Sequence, residues 1–175
     1  PNRARAGLGR SYQRTTIFPT LTVHENCRLS AQAKHQKFWS WATPAKNCRI
    51  SNEAADRALE LTGLAEYADH TAGLLSHGGK RQLEIAMCLA THPTVLLLDE
   101  PLAGMGAEET DRMLDLLDSL KKEHAILLVE HDMDAVFRIS DLITVMVNGT
   151  VIAHGDPESI RTNHEVQTAY LGEDE

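Results

Sequence analysis

The chain has 175 residues, and its formal net charge at pH 7 is -8 because 25 acidic residues face 17 basic ones. This length is sufficient for one domain with a proper core. The acidic balance argues against a broad nucleic-acid-binding surface, so we expect no nucleic acid partner. The apolar runs 95–98 and 125–129 are far shorter than the about 18 residues of a membrane-spanning helix, and no signal peptide is recognisable.

The cysteines and histidines give no sign of a metal site. Cys27, Cys48 and Cys88 are odd in number and lack metal-ligand spacing, which favours a reduced, cytoplasmic chain. The nine histidines show no H-E-x-x-H spacing, so we expect no zinc site. The first residue is Pro1 rather than Met, which indicates a processed chain or a fragment.

The first half of the chain is predicted to be mainly helical. We expect residues 1–20 to be irregular and the Thr22–Glu25 segment to form a capping box. A loop is predicted around Phe38-Trp39-Ser40-Trp41 and Pro44, and Ser76 is predicted to cap a helix that stops before Pro93. The predicted helices of this half cover residues 22–34, 53–61 and 76–92.

The second half is predicted to alternate strands and helices. Its apolar segments 95–98, 125–129 and 143–147 are separated by the helical patterns 107–122 and 133–139. This alternation predicts a parallel sheet that is buried on both faces. Asn148-Gly149 is a strong hairpin signal, so residues 151–153 should return antiparallel. Two short helices, 157–161 and 166–171, are predicted to close the chain.

Asp99 and Glu100 end the first apolar strand of the second half. In open α/β sheets, ligands bind beyond the carboxyl ends of the strands, so these carboxylates should lie at a site. Asp99 is a candidate ligand of Mg²⁺, which prefers oxygen donors. Glu100 is a candidate to orient an attacking water or accept its proton. The alternative for this pair is two solvated acids at the end of a strand.

Ser76, His77, Gly78 and Gly79 form a Ser/Gly-rich turn at the predicted start of a helix. Free backbone N–H groups and the helix dipole favour an anion there. The glycines allow a close approach of phosphate, and the serine hydroxyl adds a donor. The alternative is an ordinary N-cap with no ligand.

The continuation Lys80–Ala86 makes this turn similar to the signature sequence of ABC transporter nucleotide-binding subunits, and its spacing to Asp99-Glu100 fits that family. Within the family the sequence most resembles ATP-binding subunits of branched-chain amino-acid importers. Urea and lipopolysaccharide transport ATPases share much of the same pattern. The segments that carry this resemblance are 83–86, 99–106, 129–133 and 169–172.

The resemblance implies an α/β, P-loop NTPase-like ABC ATPase fold with a parallel sheet core and an α-helical signature subdomain. It divides the chain into residues 1–20 as the Q-loop region and 21–92 as the helical subdomain. Residues 93–155 would be the α/β core with Walker B, D-loop and switch histidine, and residues 156–175 a helical tail.

Two further site residues follow from the resemblance rather than from local pattern. His131 matches the switch histidine that contacts the γ-phosphate, and Gln13 matches the Q-loop glutamine that touches Mg²⁺ and water. The implied cofactors are ATP and Mg²⁺. Gly106 departs from the family pattern, which usually has Asp or Asn at that point of the D-loop.

The phosphate-binding P-loop, G-x-x-x-x-G-K-[ST], does not occur in these residues. Between Gly73 and Lys80 the spacing is one residue too long, and Arg81 stands where the motif has a hydroxyl residue. We therefore expect the N-terminal part of the ATPase domain to be absent from this chain, and the chain alone to be inactive. The sheet should then keep an uncovered edge with exposed apolar residues.

The resemblance also implies partners and a location. A second ABC ATPase subunit, identical or different, would pair head-to-tail with this one. Two transmembrane permease subunits would bind the pair at the cytoplasmic face of the membrane, with a periplasmic or extracellular solute-binding protein acting indirectly. Two alternatives are a non-catalytic partner subunit without its own P-loop and a soluble ABC ATPase of DNA repair or translation. The second lacks support, because the sequence has no long coiled-coil insert, CxxC pair or basic linker.

Overall fold

The structure, a computed structural model, describes residues 6–13, 15–35, 44 and 47–171. The loop predicted around Phe38–Trp41 lies outside the described residues. The chain divides into two compact units, Pro1–Glu130 and His131–Glu175, and each is described by itself.

A three-stranded parallel sheet forms the centre of the first unit. Its strands are β1 (Leu8–Arg10), β2 (Val95–Asp99) and β3 (Ala125–Val129), in the order β1-β2-β3. Residues of β2 lie opposite both neighbours, with Val95 paired to Leu8 and to Ala125. The predicted parallel pairing of the two apolar runs is confirmed. The expectation of an irregular segment over residues 1–20 is wrong at β1, because pairing with β2 creates a strand that local propensity does not favour.

Burial differs between the two apolar strands. Leu96 and Leu98 of β2 are buried, as the prediction requires. On β3, however, Leu127 is 60% exposed and Val129 is 55% exposed. The prediction of burial on both faces is therefore wrong for β3, which is one of the two edge strands of the described sheet. The predicted exposed apolar surface is confirmed there.

Four helices accompany this sheet in the first unit: α1 (Val23–His35), α2 (Arg49–Leu61), α3 (His77–Leu89) and α4 (Ala107–Leu120). The predicted cap of α1 is present, since the Glu25 N–H donates to Thr22 Oγ1 at 3.0 Å. Helices α1, α2 and α3 pack against one another. Short 3₁₀ turns, Ala65–Tyr67 and Ala72–Leu74, connect α2 to α3. The helical first half is thus confirmed, with α2 beginning four residues earlier than the predicted residue 53.

The second unit contains α5 (Met133–Ile139), β4 (Ile143–Val147), β5 (Thr150–Gly155), α6 (Pro157–Arg161) and α7 (His164–Leu171). β4 and β5 form an antiparallel hairpin. Asn148 and Gly149 have φ of 50° and 80°, as a tight two-residue turn requires. The hairpin prediction is confirmed. Within the second unit β4 pairs with β5; the expected parallel pairing is confirmed for β2 and β3 and stays a prediction for β4. The unit has its own core, formed by Ile143, Val145, Ala153, Ile160 and Val166.

Candidate functional site

The carboxyl ends of β1 and β2 are tied together by Ser11. The Ser11 N–H donates to the Leu97 carbonyl at 3.0 Å, and the Asp99 N–H donates to Ser11 Oγ at 3.3 Å. Asp99 is the last residue of β2 and lies in register with Val129 of β3. Parallel strands present their carboxyl ends at one sheet edge, so residues that follow β1 and β2 share a location.

Glu100 occupies an unusual backbone conformation directly after β2. Its φ is +47°, in the left-handed region that few non-glycine residues adopt. The Glu100 N–H donates to the Val129 carbonyl at 2.9 Å, and the Glu100 carbonyl accepts from the Ala103 N–H at 3.2 Å. Such strained residues persist where surrounding structure fixes them, and they concentrate at functional sites.

Gln13 and Glu100 are 87 residues apart in sequence and meet at this edge. Gln13 Nε2 donates to Glu100 Oε2 at 3.4 Å, a long hydrogen bond between an exposed amide and a half-buried carboxylate. The structure therefore brings together a carboxylate and an amide that sequence analysis assigned to one site. A partly accessible carboxylate beside an amide is a suitable arrangement for holding a water molecule.

The Ser76 turn opens α3 as the sequence predicts. Ser76 Oγ accepts from the Gly79 N–H at 3.1 Å and donates to Glu109 Oε1 at 2.9 Å. A Cβ on Gly78 would lie 2.7 Å from the carboxyl carbon of Glu109, so no larger residue fits without displacing that carboxylate. The turn lines a cavity of about 760 Å³ together with residues of α4, including Arg112.

His77 extends this turn toward the segment that follows β2. A Cβ on Gly104 would lie 3.3 Å from Cε1 of the His77 ring, and Gly104 has a φ of +74°. The same segment is held from β3, since the Leu102 N–H donates to Glu130 Oε1 at 2.9 Å. The Ser76 turn and the segment that follows β2 are consequently neighbours in the first unit.

Arg81 and Glu84 form a buried ion pair on α3 that sequence analysis assigned no role. Their Nη1 and Oε2 atoms are 3.0 Å apart, and their side chains are 6% and 4% exposed. The sequence does contain a signal for this pair, because two residues of opposite charge stand at i and i+3 in a largely apolar helix. Charged residues are seldom fully buried unless they are paired.

His131 begins the second unit. It lies immediately before Asp132, which caps α5 by accepting from the Asp134 and Ala135 N–H groups at 3.1 and 3.2 Å. This cap fixes the chain direction directly after His131. His131 belongs to the second unit, whereas Gln13, Ser76–Gly79, Asp99 and Glu100 belong to the first.

The oxygen donors at the first-unit site suit Mg²⁺ that is completed by water and phosphate, rather than a metal ion held by protein side chains alone. No cluster of three or more His, Cys, Asp or Glu side chains placed for a metal is found among the described residues. Magnesium is usually held by one or two carboxylates together with water and nucleotide phosphates, which Asp99 and its neighbours match chemically. Within the described ranges, no helix is long and apolar enough to cross a membrane.

A parallel sheet with Asp-Glu at a strand end, joined to a helix that begins with a Ser/Gly signature turn, defines a nucleotide-binding ATPase of the ABC class. A family model described as "ABC transporter" matches residues 2–103. A second, described as "Branched-chain amino acid ATP-binding cassette transporter", matches residues 150–175. The chain belongs to the ABC transporter ATP-binding family.

Individual relatives agree with this assignment. The chain is 45% identical over 179 residues to the high-affinity branched-chain amino acid transport ATP-binding protein LivG of Salmonella typhimurium, covering 97% of this chain and 69% of that protein. It is 43% identical over 178 residues to BraF of Pseudomonas aeruginosa, with the same coverage. The crystal structure of MJ1267, an ATP-binding cassette in its ADP conformation, superposes with a TM-score of 0.80 at 27% identity and covers 98% of this chain and 71% of that one.

These similarities confirm the ABC ATPase fold and the nucleotide-binding class predicted from the sequence. The chain is an ATP-binding, ATP-hydrolysing subunit of an ABC transporter. Transport ATP-binding proteins match along nearly the whole chain. This similarity does not favour the two alternatives, a non-catalytic partner subunit and an ATPase of DNA repair or translation.

Proposed function

We propose that this subunit energises the import of branched-chain amino acids by hydrolysing ATP at a site that includes Glu100. The observation that carries the proposal is the meeting of Gln13 and Glu100, 3.4 Å apart, at the sheet edge where Asp99 ends β2. The solute class is supported by the similarity to LivG and BraF and by the family match at residues 150–175.

Glu100 and Gln13 act on the attacking water in this proposal. The Glu100 carboxylate accepts a proton from the water or orients it, and the Gln13 amide fixes the position of both. Their location after parallel strands keeps the side chains accessible while the strands remain packed. The 3.4 Å separation is long for a hydrogen bond, and catalytic hydrogen bonds often shorten only once substrate is bound.

Asp99 and Gln13 are proposed to hold Mg²⁺ through oxygen atoms. The ion would neutralise charge on the nucleotide phosphates, and the phosphates would complete its coordination. Asp99 is suited to this role because its backbone is fixed on both sides, by Ser11 and by pairing with β3.

The residues Ser76, His77, Gly78 and Gly79 are proposed to bind the phosphates of ATP held by a second ABC ATPase subunit. The N–H groups of the α3 N-terminus and the Ser76 hydroxyl supply donors, and Gly78 and Gly79 permit close approach. Homodimers and heterodimers both satisfy this arrangement. His131 is proposed to contact the γ-phosphate as the switch histidine.

The remaining parts of the proposal concern assembly. Two transmembrane permease subunits would bind this ATPase pair at the cytoplasmic face of the membrane, and a solute-binding protein on the other side would deliver the amino acid. Residues 21–92 would form the helical subdomain, between the Q-loop region 1–20 and the α/β core 93–155, with 156–175 as a tail.

The test is ATP hydrolysis and solute uptake by the transporter complex, reconstituted in lipid vesicles, in which this sequence is part of an N-terminally extended subunit that carries the P-loop. Glu100→Gln should lower turnover by at least about 100-fold while nucleotide binding remains, since general-base residues contribute about 10²–10⁴ in rate. Glu123→Gln, at an exposed glutamate away from the site, is the matched control. Wild-type turnover in the Glu100→Gln complex would disprove the catalytic role, and uptake of urea without leucine would disprove the solute class.

A further inference from the structure

The buried Arg81–Glu84 pair on α3 is bonded mainly to another segment of the chain. The Arg81 guanidinium donates to the Tyr12 carbonyl at 2.8 Å and to the Gln13 carbonyl at 2.5 Å. Glu84 Oε1 accepts from the Thr16 N–H at 2.6 Å and from Thr16 Oγ1 at 3.3 Å. The pair thus binds the carbonyls of Tyr12 and Gln13 and the N–H group of Thr16, which belong to one short segment of the chain.

Among the described residues, Gln13 is also held by its side-chain amide, which donates to Glu100, and further bonds hold the chain before Tyr12 and after Thr16. On one side, Ser11 is bonded to β2. On the other, the Phe18 N–H donates to Asn26 Oδ1 at 2.7 Å, and Asn26 Nδ2 donates to the Phe18 carbonyl at 3.1 Å. A cavity of about 430 Å³ adjoins the segment and is lined by Tyr12, Thr16 and Glu84. The backbone that carries Gln13 therefore has room to shift if the Arg81–Glu84 contacts are removed.

Helix stability alone does not account for two charges in this position. Burying an ion pair costs desolvation free energy, and replacing such a pair with apolar residues of similar volume is often neutral or stabilising. Apolar side chains, however, form no directional hydrogen bonds to particular backbone atoms. A buried polar network instead specifies the conformation of the groups that it contacts. Arg81 Nη1 and Nη2 and both carboxylate oxygens of Glu84 are bonded, whereas the buried Arg81 Nε has no hydrogen-bond partner among the described residues.

We propose that Arg81 and Glu84 are positioning residues that fix the backbone at Tyr12, Gln13 and Thr16 so that the Gln13 amide faces Glu100. The proposal rests on the function proposed above for Gln13 and Glu100. Arg81 acts through the carbonyl of Gln13 itself, and Glu84 acts through Thr16, three residues farther on. Because Ser76 caps the same helix, α3 places the signature turn and the anchor of Gln13 on one rigid element.

The test is the double variant Arg81→Met/Glu84→Met in the reconstituted transporter complex. Both charges are removed together, so no unpaired buried charge remains and the helix is expected to fold. The matched control is Arg49→Met/Glu53→Met, which removes an exposed ion pair on α2. Three properties are measured in each complex: the melting temperature, hydrogen exchange of the peptide that contains Thr16, and kcat and KM for ATP.

We expect the double variant to melt near the wild-type temperature and to exchange the Thr16 amide hydrogen faster. Its kcat should fall by about 10- to 100-fold, since small displacements of positioning groups cost about that much, whereas KM for ATP stays close to wild type. The control pair should change neither exchange at Thr16 nor kcat. Two single variants with Glu84 unchanged are also compared. Arg81→Lys should have a higher kcat than Arg81→Met, because a lysine retains hydrogen-bond donors for the two carbonyls.

Unchanged exchange at Thr16 together with wild-type kcat in the double variant would overturn the proposal. A kcat that falls only in proportion to the folded fraction would also overturn it, because it would show a purely structural role. If the double variant does not fold, Glu84→Gln and Glu84→Met are compared by the same measurements. Both leave Arg81 without its ion partner, but only glutamine keeps an acceptor for Thr16, so faster exchange and lower kcat are expected in Glu84→Met, and equal values in the two would overturn the proposal. An inactive wild-type complex would instead disprove the proposed function, and exchange at Thr16 would still decide whether the pair holds the segment.

Discussion

The Ser76 hydroxyl donates to Glu109 Oε1 at 2.9 Å, so a carboxylate of α4 lies at the N-terminus of α3. The closeness of Glu109 to Gly78 shows that the carboxylate lies over the glycine turn as well as beside the serine. Helix N-termini attract anions, and here a side chain of the same chain supplies one. In the proposed dimer, the phosphate of ATP would use the same hydroxyl, so Glu109 and nucleotide compete for Ser76.

Glu109→Ala is therefore expected to lower KM for ATP in the transporter complex. The gain should be about two- to fivefold, because exposed charged contacts contribute only about 0.2–1 kcal/mol. ATP titrations of steady-state hydrolysis measure this effect. Glu108→Ala is the matched control, since Glu108 is also an acidic residue in the first turn of α4 but is exposed. An unchanged or higher KM in Glu109→Ala would contradict the competition.

Gly104→Ala is expected to destabilise the protein by about 1–2 kcal/mol, since it combines a left-handed backbone with a contact against His77. Alanine substitutions at two other glycines distinguish the backbone strain from the contact with His77. Gly63 has a φ of +70° with nothing near its added Cβ, so alanine there reports backbone strain alone. Gly106 has a φ of -76° and open space, so alanine should be tolerated. Urea unfolding measures all three, and equal losses at Gly104 and Gly106 would contradict the explanation.

The cysteines should differ sharply in alkylation by iodoacetamide. Hydrogen bonds from Ser51 lower the pKa of the half-buried Cys48 thiol. Burial raises the pKa of Cys27 and raises that of Cys88 to about 12. The thiolate is the reactive form, so at pH 8 Cys48 should react first, with a pH midpoint below the usual value of about 8.5.

Mass spectrometry of peptides after timed alkylation measures this order. Ser51→Ala removes one donor to the Cys48 thiolate, so the pH midpoint of its reaction should rise. The same substitution should leave Cys88 slow, because that thiol is protected by burial rather than by Ser51. Faster labelling of Cys88 than of Cys48 in the folded protein would show that burial and hydrogen bonding do not control reactivity here.

The sequence by itself determined the features that depend on neighbouring residues. The Ser76 cap located the start of α3, the apolar runs located β2 and β3, and Asn148-Gly149 located the hairpin turn. Each depends on bonds or side-chain patterns within a few residues, such as the hydroxyl that caps its own helix. The motif residues also identified the family, because their types and spacing are read directly from the chain.

Only the tertiary structure decided the contacts between distant segments. Leu8–Arg10 becomes a strand because β2 supplies its hydrogen-bond partners, 87 residues farther along the chain. The role of Arg81 depends on carbonyls of residues 12 and 13, and the exposure of Leu127 depends on what covers β3. Such contacts are set by which elements pack together rather than by local propensity. Burial, and with it the effect of a charge or an apolar side chain, is a property of the neighbours in space.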